Sequence, residues 1–178
     1  MPIDHPAATR LKAQFPNAGL KGAQFRGDTQ IVVPREHLLA VVNFLKSDPA
    51  LNYNMLSDVT AADYLNYPGA AKDGRYGLVY IFNSIPLHAA GVGSPRLILR
   101  VFLDDKNLEV ESLVPIYAGA EWLEREVFDM FGIRFKNHPD LRRILTWDGF
   151  KAHPLRKDYP VTGQGEREQY PIMSRESA

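Results

Sequence analysis

The chain has 178 residues, 21 Lys plus Arg against 21 Asp plus Glu, 45% hydrophobic and 24% charged residues, and no cysteine. That length suits one domain with a full core, and the charge balance supplies no global field toward nucleic acid or an anionic membrane. The absence of cysteine excludes disulfides, thiolate nucleophiles, zinc ribbons and thiolate-ligated iron–sulfur clusters held by this chain alone, and no run approaches the roughly 18–20 apolar residues of a membrane span.

The N-terminal MPIDHPAATRLKAQF lacks a basic segment followed by an apolar one, so no secretory signal is expected and a cytosolic or matrix-like compartment is. Ala7 to Phe15 reads as a short amphipathic helix closed by Pro16, Asn17 and Gly19. Gln24 to Val33, with the β-branched run Ile31-Val32-Val33 and a turn at Arg26-Gly27-Asp28, reads as a strand. Pro34 suits the first turn of a second helix, in which Leu38, Val41, Val42 and Leu45 share one face and Ser47-Asp48-Pro49 ends the run. Met55 to Leu65 reads as a strand with a bend, and Asn66 to Arg75 as a loop.

Tyr76 to Asn83 and Arg96 to Asp104 are apolar on both parities, which predicts central strands. Their connection, with Pro86, Gly91, Gly93 and Pro95, is long for a hairpin and predicts an exposed flap. Asp104 to Asn107 is turn-like, and Leu108 to Val114 gives one more extended segment. Gly91-Val92-Gly93 has no strand-turn-helix setting, so nucleotide binding has no support. Helix, strand, helix, several strands and then helices predict an α+β fold: two layers, with a mixed, mostly antiparallel sheet packed by helices. One domain is expected over residues 1–160, followed by an extended C-terminal arm, 161–178, that is polar, without period, and ordered only against a partner.

The unusual chemistry lies between Glu121 and Tyr159. Glu121 to Asp129 carries four acids and one base, whereas Arg134 to Lys157 carries seven bases and two acids. Ala120 to Met130 predicts a helix with Leu123, Val127, Met130 and Phe131 on one face, ended by Gly132. Trp122, Arg125, Glu126 and Asp129 fall on another face, where Arg125 is four residues from both Glu121 and Asp129. A solvated charged face is the plain reading; Trp122 among the charges argues instead for a contact surface. Asn137-His138-Pro139-Asp140 predicts the start of a second short helix, with Leu141, Ile144 and Leu145 inward. Arg142 and Arg143 are adjacent and cannot both face the core, so one is expected to pair with an acid of the preceding helix and the other to meet a partner. His138 and His153 are 15 residues apart without a third ligand, which gives no metal set, and no nucleophile pattern stands beside His138 and Asp140. Pro154-Leu155-Arg156-Lys157-Asp158-Tyr159-Pro160, bracketed by prolines, predicts an extended segment lying across another surface.

Glu124-Arg125-Glu126-Val127-Phe128-Asp129-Met130-Phe131-Gly132-Ile133, then His138-Pro139-Asp140-Leu141-Arg142-Arg143-Ile144-Leu145, then Pro154 to Tyr159, closely resembles the signature of the C-subunit family of respiratory complex I, the proton-pumping NADH:quinone oxidoreductase. A looser similarity runs back through Leu56 to Tyr64 to about Ile31, and the departures noticed are Asn137, where the family commonly has glycine, and Phe150, where tryptophan is frequent. The resemblance implies a cofactor-free component of the peripheral arm. The charged helix face and the double arginine would knit it to itself and to the large D-type subunit of the quinone module, the Pro154–Tyr159 segment and the tail would lie along the neighbour, and cluster-bearing subunits would be further partners. FMN, iron–sulfur clusters, NADH and quinone would belong to the assembled complex, at the cytoplasmic face of the bacterial inner membrane, with membrane association only through that complex. A sister reading is the equivalent component of a membrane-bound hydrogenase or ferredoxin-linked oxidoreductase. The reading from another class is a stand-alone enzyme using His138, Asp140 and the arginines on a small anion.

Overall fold

A computed structural model describes residues 5–69, 73–85 and 96–165. The elements are α1 (Pro6–Gln14), β1 (Lys21–Phe25), β2 (Asp28–Val32), a 3-10 turn (Arg35–His37), α2 (Leu38–Ser47), β3 (Met55–Asp63), β4 (Tyr76–Asn83), β5 (Arg96–Leu103), β6 (Glu109–Glu111), α3 (Ala120–Phe131) and β7 (Arg134–Lys136). Five strands form one sheet in the order β1-β2-β5-β4-β3, antiparallel except for β2 beside β5, and β6 and β7 form a parallel pair. The three helices pack on this sheet, which is the expected two-layer, mostly antiparallel α+β architecture.

Periodicity explains the layers. Leu38, Val41, Val42 and Leu45 of α2 are all fully buried, as their three- and four-residue spacing requires. In β4 and β5 the fully buried set is Tyr76, Leu78, Tyr80 and Phe82 with Leu97, Leu99 and Val101, one parity of each strand. These side chains and Ile31 of β2 join one core cluster with Leu11 of α1, the apolar face of α2 and Val127, Met130 and Phe131 of α3. β5 is the middle strand and β4 its neighbour, as expected. Val79, Ile81, Ile98 and Phe102, on the other parity, stay half-buried and outside that cluster. The bend expected in the third strand is a register shift between Leu56 and Asp58.

Three expectations need correction or a limit. Lys21–Phe25 is a strand of its own, paired with β2 across a two-residue turn in which Arg26 (φ 53°) and Gly27 (φ 89°) both take positive φ. All five of its residues are exposed, so no apolar alternation marked it. The second short helix after His138 does not form: residues 137–147 run as irregular turns, and Leu145, expected inward, is 64% exposed. Most of the flap between β4 and β5, residues 86–95, and residues 166–178 of the arm lie outside the described residues.

Candidate functional site

α3 is buried where its sequence looked solvated. Glu124 and Asp129 are fully buried and Arg125 is 6% exposed, whereas Trp122 is 60% exposed. Fully buried charges persist only when their hydrogen-bonding capacity is met, and each of these side chains is spent on holding the chain itself.

Asp129 is the hub. Its Oδ2 accepts from three successive backbone N–H groups, Ile144 (3.0 Å), Leu145 (2.8 Å) and Thr146 (2.8 Å). Its Oδ1 accepts from Arg143 Nη1 (2.6 Å) and Thr146 Oγ1 (2.5 Å). Burial pushes this carboxyl upward, but the bonds from Thr146, Leu145 and Arg143 outweigh it and bring its pKa down to about 2. Arg125 Nε and Nη2 donate to the carbonyls of Arg142 (3.2 Å) and Arg143 (3.1 Å), and its guanidinium lies 5.2 Å from the Trp122 ring centre. Residues 142–146 therefore find backbone partners on α3 instead of within a helix of their own, which is why the expected helix is absent.

Arg143 is the inward member of the double arginine, bonded to Asp129 and to the Ala152 carbonyl (3.1 Å). Arg142 is outward, paired with Asp140 at 2.8 Å on an exposed surface. Arg143–Asp129 is the expected pair between one member of the double arginine and an acid of the preceding helix, and Asp129 makes it instead of pairing with Arg125 one turn earlier. His138 uses both ring nitrogens: Nδ1 accepts from Asp140 N–H (3.1 Å), which leaves Nε2 to donate to the Glu121 carbonyl (3.0 Å). Pro139 and Glu126 are exposed. Among the described residues no three His, Cys, Asp or Glu side chains gather as a metal set.

The C-terminal end of α3 leaves carbonyls without helical donors, and the second half of the signature supplies them. Phe128 O accepts from Gly132 N–H (2.8 Å), Asp129 O faces His153 Nδ1 (2.9 Å), Met130 O accepts from Leu155 N–H (3.1 Å), and Phe131 O accepts from Arg156 Nε (2.6 Å). Burial lowers the His153 pKa, so the neutral ring is favoured at this contact. Gly132 sits at φ 75°, and a Cβ there would fall 2.5 Å from His153 Nε2.

Beyond Arg156 the segment reaches the sheet. Lys157 N–H donates to Asp63 Oδ2 (2.9 Å), and Asp63 also takes two bonds from Arg75, 2.9 Å from Nε and 2.8 Å from Nη2. Arg75 in turn pairs with Asp158 (2.9 Å) and Asp105 (3.1 Å). Tyr159 packs on Phe150, with ring centres 6.0 Å apart. Pro154–Tyr159 thus lies across its own domain; Leu155, Lys157 and Asp158 remain exposed on its outer side.

Glu124 differs from Asp129. It accepts from Ser112 Oγ (2.6 Å) and Leu113 N–H (2.7 Å) without a cation, and burial, only partly offset by these bonds, pushes its pKa up to about 7. Asp63, Arg75, Ser112 and Thr146 were not singled out from the sequence. Only Asp63 had a signal, its place in the Leu56–Tyr64 stretch of looser resemblance. A cleft of about 750 Å³ lies elsewhere, between α1 and β1, and Lys12 is the one ionisable residue among the described residues lining it.

Residues 31–165 match the family described as "Respiratory-chain NADH dehydrogenase, 30 Kd subunit". The chain is 41% identical over 170 residues to the NADH-quinone oxidoreductase C subunit of Citrifermentans bemidjiense, covering 96% of this chain and 97% of that one. It is 43% identical over 164 residues to the corresponding C subunit of Trichlorobacter lovleyi, covering 92% and 93%. Among solved structures, a trypsin-resistant fragment (1–134) of Nqo5 superposes with a TM-score of 0.64 at 32% identity, over 76% of this chain and 99% of that one. A chain of the membrane-bound sulfane sulfur reductase, an archaeal respiratory membrane complex, superposes with a TM-score of 0.67 at 21% identity over 96% and 95%, a likeness of fold.

Proposed function

Because the chain belongs to the 30-kDa subunit family of the respiratory-chain NADH dehydrogenase, we propose that it serves as the scaffolding C subunit of a proton-translocating NADH:quinone oxidoreductase, without a catalytic site or cofactor of its own. It docks on the large D-type subunit of the quinone module and on cluster-bearing neighbours, at the cytoplasmic face of the membrane. FMN, iron–sulfur clusters, NADH and quinone belong to the other chains of that assembly. None of the described helices is long and apolar enough to cross a membrane.

The observation that carries the reading is how the signature's charges are used. Asp129, Arg125, Arg143 and Arg156 hold the backbone of this chain at fixed places. What they leave outside is an exposed surface with Trp122, stacked by Arg125, and the outward Arg142. Aromatic and arginine side chains of this kind dominate protein interfaces. In the intact complex, Trp122→Ala combined with Arg142→Glu should lower incorporation of this chain about tenfold or more on native gels of solubilised membranes, with NADH:quinone reductase activity falling in parallel. Wild-type incorporation by the double variant would remove these residues from the docking surface. Cysteine-bearing partners that co-purify with the chain, and their cofactors, separate this reading from the hydrogenase and ferredoxin-linked ones.

A further inference from the structure

Among the described residues, the five-stranded sheet has helices on one face only. On the other, paired residues share a side across the ladder: Val79 lies opposite Arg100 and Arg100 opposite Val32, while Ile81 lies opposite Ile98 and Gly77 opposite Phe102. Val32, Val79, Ile81, Ile98 and Phe102 are half-buried and belong to no part of the core cluster. Strands that are apolar on both parities are ordinarily covered on both faces. Here the second cover is missing among the described residues. Tyr64 extends the surface, because its ring reaches over Gly77, where a Cβ would meet it at 2.8 Å, and tilts against Phe102.

Arg100 stands at the centre of this face. Its Nη1 donates to Tyr64 Oη at 3.3 Å, its Nε is buried without an acceptor, and the guanidinium pairs with no carboxylate among the described residues. The other cations around the face are already matched: Arg96 to Asp28 at 2.6 Å and Lys21 to Asp73 at 3.0 Å. The face therefore offers an unmatched cation in an apolar field rather than the basic spread that an anionic membrane or a nucleic acid requires. Five strands about 4.8 Å apart and five to nine residues long, at about 3.3 Å per residue, make a face of roughly 550 Å², a large part of the roughly 800 Å² that one partner gives to a standard protein–protein interface.

We propose that this helix-free sheet face is a second docking surface and that its occupant is another protein chain, which presents an aspartate or glutamate carboxylate to Arg100 from an apolar setting. The inference rests on the family reading only in supposing an assembly that supplies such a chain; it does not involve Trp122 or Arg142. Buried between two chains, a guanidinium–carboxylate pair that loses one member weakens association strongly, whereas Asp58 beside Ile81 on the same face would let a second copy compete for Arg100.

The test uses the intact complex from membranes. A photo-reactive p-benzoylphenylalanine replacing Ile98 should give, on irradiation, an adduct with a different chain, mapping to a peptide that holds an Asp or Glu among apolar residues. Arg100→Glu should reduce incorporation about tenfold or more, Arg100→Lys should stay near wild type, and replacing the mapped partner carboxylate by arginine should restore Arg100→Glu. Adducts confined to this chain or to a second copy would overturn the proposal, as would wild-type incorporation of Arg100→Glu or a charge swap that fails to rescue. An Ile98 adduct that persists while the Trp122 and Arg142 variant incorporates normally would separate this face from the docking surface proposed above.

Discussion

Two buried carboxylates on one helix, five residues apart, receive opposite treatment. Asp129 has five donors including a guanidinium and is held down at about 2; Glu124 has two neutral donors and is pushed up to about 7 from an ordinary 4.5. Their effects on stability have opposite signs. Asp129, whose folded pKa is depressed, stabilises above its unfolded value of 3.8, and that contribution is lost as pH falls toward 2. For Glu124 the folded state holds its proton more tightly than the unfolded chain. Its ionisation on unfolding therefore erodes stability as pH rises from about 4.5 to about 7, by an amount on the order of 3 kcal/mol. Glu124→Gln, which keeps an acceptor for Leu113 and never ionises, should remove that slope. Urea unfolding at pH 5 and pH 8 should show the variant gaining on wild type at the higher pH; parallel changes in the two proteins would contradict the assignment.

Among the elements, α3 depends most on residues far along the chain. Its last carbonyls are met by Gly132, His153, Leu155 and Arg156, and Gly132 both adopts φ 75° and leaves the space in which His153 and Arg156 sit. A side chain at positive φ alone costs roughly 1 kcal/mol. Gly132→Ala must also displace His153 and Arg156, so it should lower unfolding stability by more than ~2 kcal/mol in thermal or urea melts, and a loss under ~1 kcal/mol would mean that the segment gives way freely. The helices were legible because hydrophobic period reports burial directly, and β2, β4 and β5 because β-branched and continuous apolar runs mark buried strands. β1 was not, since its exposed residues carry no period. The stretch after His138 read as a helix because its proline and apolar spacing are those of a helix start. What overrode that pattern is Asp129, whose carboxylate takes the N–H groups of residues 144–146. Such pairing across 15–17 residues leaves no trace in local spacing. The resemblance singled out the charged residues of the signature, while the division of the double arginine into inward Arg143 and outward Arg142 needed the structure.

At the scale of the whole molecule, Asp63 and Arg75 join the sheet to the C-terminal segment through Lys157 N–H and Asp158. Asp63 is 8% exposed, and the Asp63 bonds foremost hold the Arg75 pKa well above its ordinary value. Arg75→Ala would leave that carboxylate short of its cation, and removing one member of a buried pair costs about 3–5 kcal/mol. The partly exposed guanidinium places this case toward the lower end. Hydrogen exchange should rise first at residues 154–159 and only later in β4 and β5. Uniform acceleration across the sheet would show that the segment is not a separate opening unit.

The separation of 94 positions between Asp63 and Lys157 also sets an order of events during synthesis. The last strand of the main sheet ends at Leu103, so at about 5–20 residues per second all strands of the sheet are made several seconds before Lys157 is. Closing so long a loop costs roughly 4 kcal/mol of chain entropy, which places this junction among the last steps of maturation. During that interval the carbonyl end of α3, once made, and the place on Asp63 Oδ2 that Lys157 N–H will take lack their final donors and are open to a nascent partner that offers its own first. The newborn chain thus has a short period in which folding on itself and joining a neighbour compete for the same acceptors.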